Sequence, residues 1–111
     1  MNPSPPEPVD AVFHALANPT RRAVLERLGR GPAFVSELAD PFDMALPSFL
    51  QHLRVLESHG LVQSQKVGRV RTVRIVPERL APAARWLREQ KRVWETRLDQ
   101  LDTYLDLLDR E

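Results

Sequence analysis

The last third of the chain places Leu80, Ala84, Leu87, Lys91, Trp94, Leu98, Leu101, Leu105 and Leu108 at successive spacings of 4, 3, 4, 3, 4, 3, 4 and 3. This is a heptad a/d row with one polar member, Lys91, and a long α-helix is the structure that lines such residues up on one stripe. Pro82 fits the first turn of a helix and would kink its interior, so the regular helix starts near it. From Pro82 to Leu108 is 27 residues, about 40 Å at helical rise. A chain of 111 residues makes one domain with one small core. That core is too small to cover so long a stripe. The row requires a partner helix, most simply the same helix of a second copy. Lys91 helps to fix the register, and Trp86 and Val93 flank the row on the side of the domain body.

The segments before this helix follow a recognisable order. Residues 1–8 hold four of the ten prolines and read as a flexible Pro-rich arm. Val9, Val12, Phe13 and Leu16 then fall at helical spacing. Asn18-Pro19 supplies an N-cap and a first-turn proline for a second helix, whose apolar face is Ala23, Val24 and Leu28. Gly29-Arg30-Gly31-Pro32 breaks it. Ser36 is placed as the cap of a short third helix ending near Asp40. A fourth helix spans about Leu46 to His59, with Leu46, Phe49, Leu53 and Leu56 as its apolar face and Gly60 as its stop. The period then changes. Leu61–Val67 and Val70–Val76 are β-branched runs around Gly68-Arg69, which reads as a hairpin. The expected fold is mainly α: a winged helix-turn-helix with four helices, a β-hairpin wing and a long C-terminal dimerisation helix. Residues 9–76 are expected to form the DNA-binding winged helix-turn-helix and residues 77–111 the dimerisation helix of the same domain.

Composition narrows the chemistry. The chain has no cysteine, which excludes disulfides, thiolate metal sites and cysteine nucleophiles. No glycine-rich phosphate loop, nucleophile elbow or HExxH is present, so no catalytic residues are assigned and the expected protein is not an enzyme. Asp99, Asp102, Asp106 and Asp109 read as a solvated face opposite the leucines. No apolar run exceeds three residues, so no membrane span or signal peptide is expected and the expected location is the cytoplasm. Net charge is only +1, but residues 18–76 carry nine bases and five acids. A local basic patch of that kind suits a nucleic acid.

The run FHALANPTRRAVLERLGRGPAFVSELADPFDMALPSFLQHLRVLESHGLVQSQKVGR resembles the DNA-binding core of ArsR-type (ArsR/SmtB) bacterial repressors, and WLREQKRVWETRLDQLDTYL is similar to a non-metal branch of that family. The resemblance covers about residues 9–110. It implies a homodimeric repressor that acts on an inverted-repeat operator in double-stranded DNA, with the fourth helix in the major groove and the wing on the backbone. Pairing in the family uses the first and last helices. That assigns Val9 and Val12, with Leu87, Trp94, Leu98, Leu101, Leu105 and Leu108, to the dimer interface.

The DNA-binding candidates are Ser36, Pro47, Ser48, Gln51, His52, Arg54, Arg69 and Arg71. Gln51 and Arg54 lie off the apolar face of the fourth helix; glutamine pairs with adenine, and arginine with guanine or phosphate. Ser48 and Gln51 sit near the helix start, where base contacts concentrate. His52 matches the family's histidine, with donation to a phosphate as its role and packing as the alternative. Arg69 and Arg71 suit phosphate at the wing. The sequence departs from the family at Leu50 and Ala45, where serines are common. Leu50 either widens the buried face or meets a thymine methyl. These departures keep a second reading open, a protein-binding winged-helix module without DNA affinity. Metal sensing is not expected. The histidines are His14, His52 and His59, none lies in residues 77–111, and no cofactor is assigned. The sequence names no inducer.

Overall fold

The computed structural model describes residues 8–110. The helix α1 (Pro8–Leu16) is followed by α2 (Pro19–Leu28), a two-residue strand β1 (Ala33–Phe34), α3 (Val35–Ala39), α4 (Leu46–Ser58), β2 (Val62–Val67), β3 (Val70–Ile75), a 3-10 turn (Pro77–Leu80) and α5 (Ala81–Asp109). The mainly helical winged helix-turn-helix expected from the sequence is the fold observed. Pro8 already belongs to α1, which is favourable because a first-turn proline lacks only an N–H that has no partner there. Residues 1–7 of the expected arm lie outside the described residues.

Local chemistry sets most boundaries. Asn18 caps α2 by accepting from Arg21 N at 3.1 Å, with Pro19 as first helical residue. The α4 helix ends in a Schellman arrangement: Gly60 N donates to Glu57 O at 3.0 Å and Leu61 N to Leu56 O at 3.0 Å. Gly60 takes φ +78°, and a Cβ there would lie 3.3 Å from Arg79 Nε. Both facts favour glycine. At the wing tip Gly68 has φ +63° and Val67 pairs with Val70 across a two-residue turn, the glycine-first pattern of tight hairpins.

Ser36 does not cap α3. The helix begins two residues earlier than expected, at Val35, which puts Ser36 inside the first turn. The capping interaction is instead Phe34 N–H donating to Glu37 Oε1 at 3.1 Å. A third strand also joins the wing. Ala33 and Phe34 pair antiparallel with Val73 and Thr72, giving the sheet order β1-β3-β2. This strand anchors the wing to the start of the helix-turn-helix.

The core gathers Val12, Ala15, Val24, Leu25, Leu28, Leu38, Phe49, Leu53, Leu56, Leu61, Val62 and Val73 among its buried residues. Phe49 stacks on Phe42 at a ring-centroid distance of 5.6 Å. Leu46, expected on the buried face of α4, is 54% exposed, since it lines an open cleft with Val35 and the wing residues Lys66, Arg69 and Arg71. Leu50 is half-buried against the core, so it widens the buried face. Phe49→Ala is expected to cost about 3–5 kcal/mol, the usual range for a fully buried phenylalanine. Urea unfolding read by far-UV circular dichroism measures it.

The helix α5 runs 29 residues, and every residue from Arg85 to Arg110 is exposed. At helical rise it is about 43 Å long, in a molecule whose extents are 76 × 40 × 24 Å. Near its start it is held against α1, where Phe13 and Trp86 meet edge-on at 5.7 Å. Beyond, Leu87, Trp94, Leu98, Leu101, Leu105 and Leu108 are 48–65% exposed. The assignment of Val12 to that interface is corrected. Val12 is 2% exposed, enclosed by the core of its own chain. Val9 is partly buried and packs on the same core, and the exposed large apolar residue of α1 is Phe13. No helix among the described residues is long and apolar enough to cross a membrane.

Candidate nucleic-acid interface

With Phe49, Leu53 and Leu56 turned into the core, the opposite side of α4 carries Pro47, Ser48, Gln51 and Arg54, all exposed. Ala45 takes the N-cap position of α4 and offers no side-chain oxygen. The next available backbone N–H groups, of Leu46 and Ser48 on either side of Pro47, are left open at the positive end of the helix.

The wing stands beside this face. Strand alternation puts Lys66 and Arg71 on the side of the hairpin that also bears Val62, Ser64 and Val73, the side turned to the body. Lys66 and Arg71 are paired directly across the two strands, and like charges so placed repel. With Arg69 at the tip, they line a cleft of about 380 Å³ together with Val35, Leu46 and Leu50. Ser36 lines an adjoining groove with Phe34, Arg69, Val70 and Arg71. Among the described residues, Arg54, Lys66, Arg69 and Arg71 form no ion pair. Nearby polar groups are matched to one another instead: Ser64 Oγ donates to Glu57, and Arg74 to Gln63.

The structure thus brings Ser36, Pro47, Ser48, Gln51, Arg54, Arg69 and Arg71 to one side. His52 differs. It is half-buried, turned toward α2, where Arg21 Nη1 lies 3.3 Å from its Nδ1. Arg21 is itself fixed by the end of α1, donating to Ala15 O at 2.8 Å and His14 O at 2.9 Å. Arg22 donates to Leu16 O at 2.7 Å. These guanidiniums satisfy the last carbonyls of α1, at the negative end of its dipole. Lys66 was not among the sequence candidates, although the two-residue turn at Gly68-Arg69 fixes its register opposite Arg71. The Arg21–His52 contact joins residues 31 apart and left no sequence signal.

His14 and His59 meet edge-on at 5.1 Å. Burial, then the charges of His14 and Arg21, hold the His59 imidazole below the usual histidine range. Folding therefore favours its neutral form. That contribution is full above about pH 6.5 and is lost as pH falls toward the depressed folded value. Urea unfolding is expected to show a smaller loss of stability between about pH 7 and pH 5.5 in His59→Gln than in the unaltered chain.

Residues 16–65 match the family described as a helix-turn-helix domain. The HTH-type transcriptional regulator Rv2034 of Mycobacterium tuberculosis is 42% identical over 72 residues, which are 65% of this chain and 67% of that protein. Across the curated relatives the matched stretch spans 51–67% of their length. The crystal structure of the ArsR family transcriptional regulator RHA00566 superimposes with a TM-score of 0.76 at 56% identity, over 80% of this chain and 98% of that one. A homodimeric winged helix-turn-helix DNA-binding domain of Mb0332 from Mycobacterium bovis, a possible ArsR-family regulator, superimposes with a TM-score of 0.59 at 30% identity, over 84% and 83% of the two chains. Fold, element order and these likenesses agree, and the chain belongs to the ArsR family of winged helix-turn-helix transcriptional regulators.

Proposed function

We propose that the protein is a homodimeric repressor of transcription that reads an inverted-repeat operator with α4 and grips the flanking phosphates with the wing. The observation that carries this reading is the pairing of Lys66 against Arg71 beside Arg69, three cations that form no ion pair among the described residues. Folding alone gains nothing from that arrangement. A polyanion lying between α4 and the wing gives each cation a partner. The open amides of Leu46 and Ser48 suit a phosphate oxygen, and Gln51 and Arg54 suit base edges in the major groove. A guanidinium can only donate, so where Arg21 bonds Nδ1 of His52 the neutral ring carries its proton on Nε2.

The exposed α5 stripe and the homodimeric state of the Mb0332 relative support pairing of two copies. A two-fold dimer places two α4 helices on half-sites about 10 bp apart, or a multiple of that. Fluorescence anisotropy with a labelled duplex from upstream of the protein's own coding region tests this. Tighter binding to that duplex than to a scrambled one of equal length is expected. Equal affinity for both sinks the operator reading.

Control by thiophilic metals is not part of the proposed function. The chain has no cysteine and residues 77–111 no histidine. His14 and His59 meet beside the Arg21 guanidinium, whose charge repels a cation. Zinc, cadmium and arsenite are each expected to leave operator affinity unchanged. Release of DNA by one stoichiometric metal ion would show otherwise.

A further inference from the structure

A second cleft lies on a different part of the molecule. It measures about 430 Å³ and is lined by Ala11 of α1, His59 at the end of α4, Glu78 and Arg79 of the 3-10 turn, and Pro82 and Arg85 of α5. That volume falls within the range of about 300–1,000 Å³ typical of small-molecule sites. Its chemistry is of two kinds. The apolar walls include Ala11 and Pro82, while Arg79 and Arg85 bring two guanidiniums to the same space. Neither guanidinium makes a hydrogen bond or ion pair among the described residues. Glu78 lines the cleft as well, and no side-chain hydrogen bond or ion pair joins it to either arginine.

We propose that this cleft binds a small organic carboxylate, its carboxylate held by Arg79 and Arg85 and its apolar body lying on Ala11 and Pro82. Guanidinium groups match a carboxylate with parallel N–H donors, which a neutral ligand leaves unused. The location gives the occupant reach. Arg79 lies over Gly60, the residue that ends α4, and Arg85 begins the projecting part of α5. One ligand therefore touches both the end of the DNA-facing helix and the root of the exposed stripe. Arg85 directly follows Ala84 and falls outside the a/d row, so pairing of two copies along that row leaves its guanidinium free. The site stands independently of the DNA reading, and its test needs no DNA.

Isothermal titration calorimetry of the full chain with phenylacetate tests the proposal. Saturable binding at one site per chain is expected. Arg79→Gln and Arg85→Gln are each expected to weaken it about tenfold or more, the usual loss for a charge-assisted hydrogen bond. Glu78→Gln is expected to tighten it, because a like charge leaves the cleft. This opposite sign separates a ligand role from general damage to the fold. Phenylacetamide is expected not to bind, and inorganic phosphate not to compete. Absent binding, or affinity unmoved in both arginine variants, overturns the proposal. Competition by phosphate at equal concentration overturns the organic-acid assignment, since the apolar walls then contribute nothing.

Discussion

Leu101→Arg is expected to leave the protein monomeric in light scattering under conditions where the unaltered chain is a dimer. The row offers Leu87, Trp94, Leu98, Leu101, Leu105 and Leu108 from each copy, every one about half exposed in the single chain. Covering the exposed half of such a side chain contributes about 1 kcal/mol. Twelve of them in a two-fold pair give on the order of 12 kcal/mol, against an association cost of about 4–15 kcal/mol. The balance is narrow, and symmetry applies a substitution twice. Two leucines lost and two guanidiniums driven into an apolar seam exceed what the remaining contacts supply. The projecting helix has no contact with its own core beyond its first turns, so the folded unit survives. Circular dichroism is expected to show retained helix at 10 °C in a monodisperse monomer. An intact dimer in this variant would move the interface elsewhere, with Phe13 on α1 as the next exposed apolar residue.

The reason this helix was legible in the sequence is that its signal is periodic and long. Nine positions repeat without a break from Leu80 to Leu108, and no short-range competitor imitates that pattern. Asn18-Pro19, Gly60 and Gly68 were legible for a different reason. Each carries backbone chemistry that one local conformation satisfies. The features that escaped depend on other parts of the chain. The strand β1 has two residues, too few for any period, and exists because Thr72 and Val73 pair with it. Ser36 looked like a cap because serine is a common one, but Glu37 reaches back to Phe34 N–H and moves the helix start two residues earlier. Leu46 fits the period of α4, yet burial needs a covering neighbour as well as a period, and Leu46 faces the open cleft beside the wing. Val12 was assigned to a dimer surface through the family resemblance, while α2 and α5 cover that side of α1 within one chain. On the outer face of α4, the exposure of Gln51 and Arg54 followed from periodicity alone. The Arg21–His52 contact needed the packing of α2 on α4.

Replacing Lys66, Arg69 and Arg71 together by glutamine is expected to abolish most of the salt dependence of operator binding. Each cation lost removes about one unit from the slope of log affinity against log salt. A dimer bears each residue twice, so about six units go. For the unaltered protein, six such contacts alone predict an affinity about a thousandfold weaker at 200 mM salt than at 50 mM. The triple variant is expected to bind far more weakly at low salt and to change little across that range. The effect is expected to be the same for operator and scrambled duplex, because phosphate contacts carry no sequence information. Gln51→Ala makes the contrasting case. It removes no charge, so the salt slope should stay as it was. Affinity for the operator should fall by about 1–3 kcal/mol per half-site if the amide makes a bidentate contact to a base. Discrimination should relax at one symmetric pair of operator positions and nowhere else. Anisotropy titrations over single-base operator variants, repeated at three salt concentrations, separate the two roles. A flat salt response of the unaltered protein would remove the wing from the interface. Unchanged discrimination in Gln51→Ala at every position would remove that side chain from base reading.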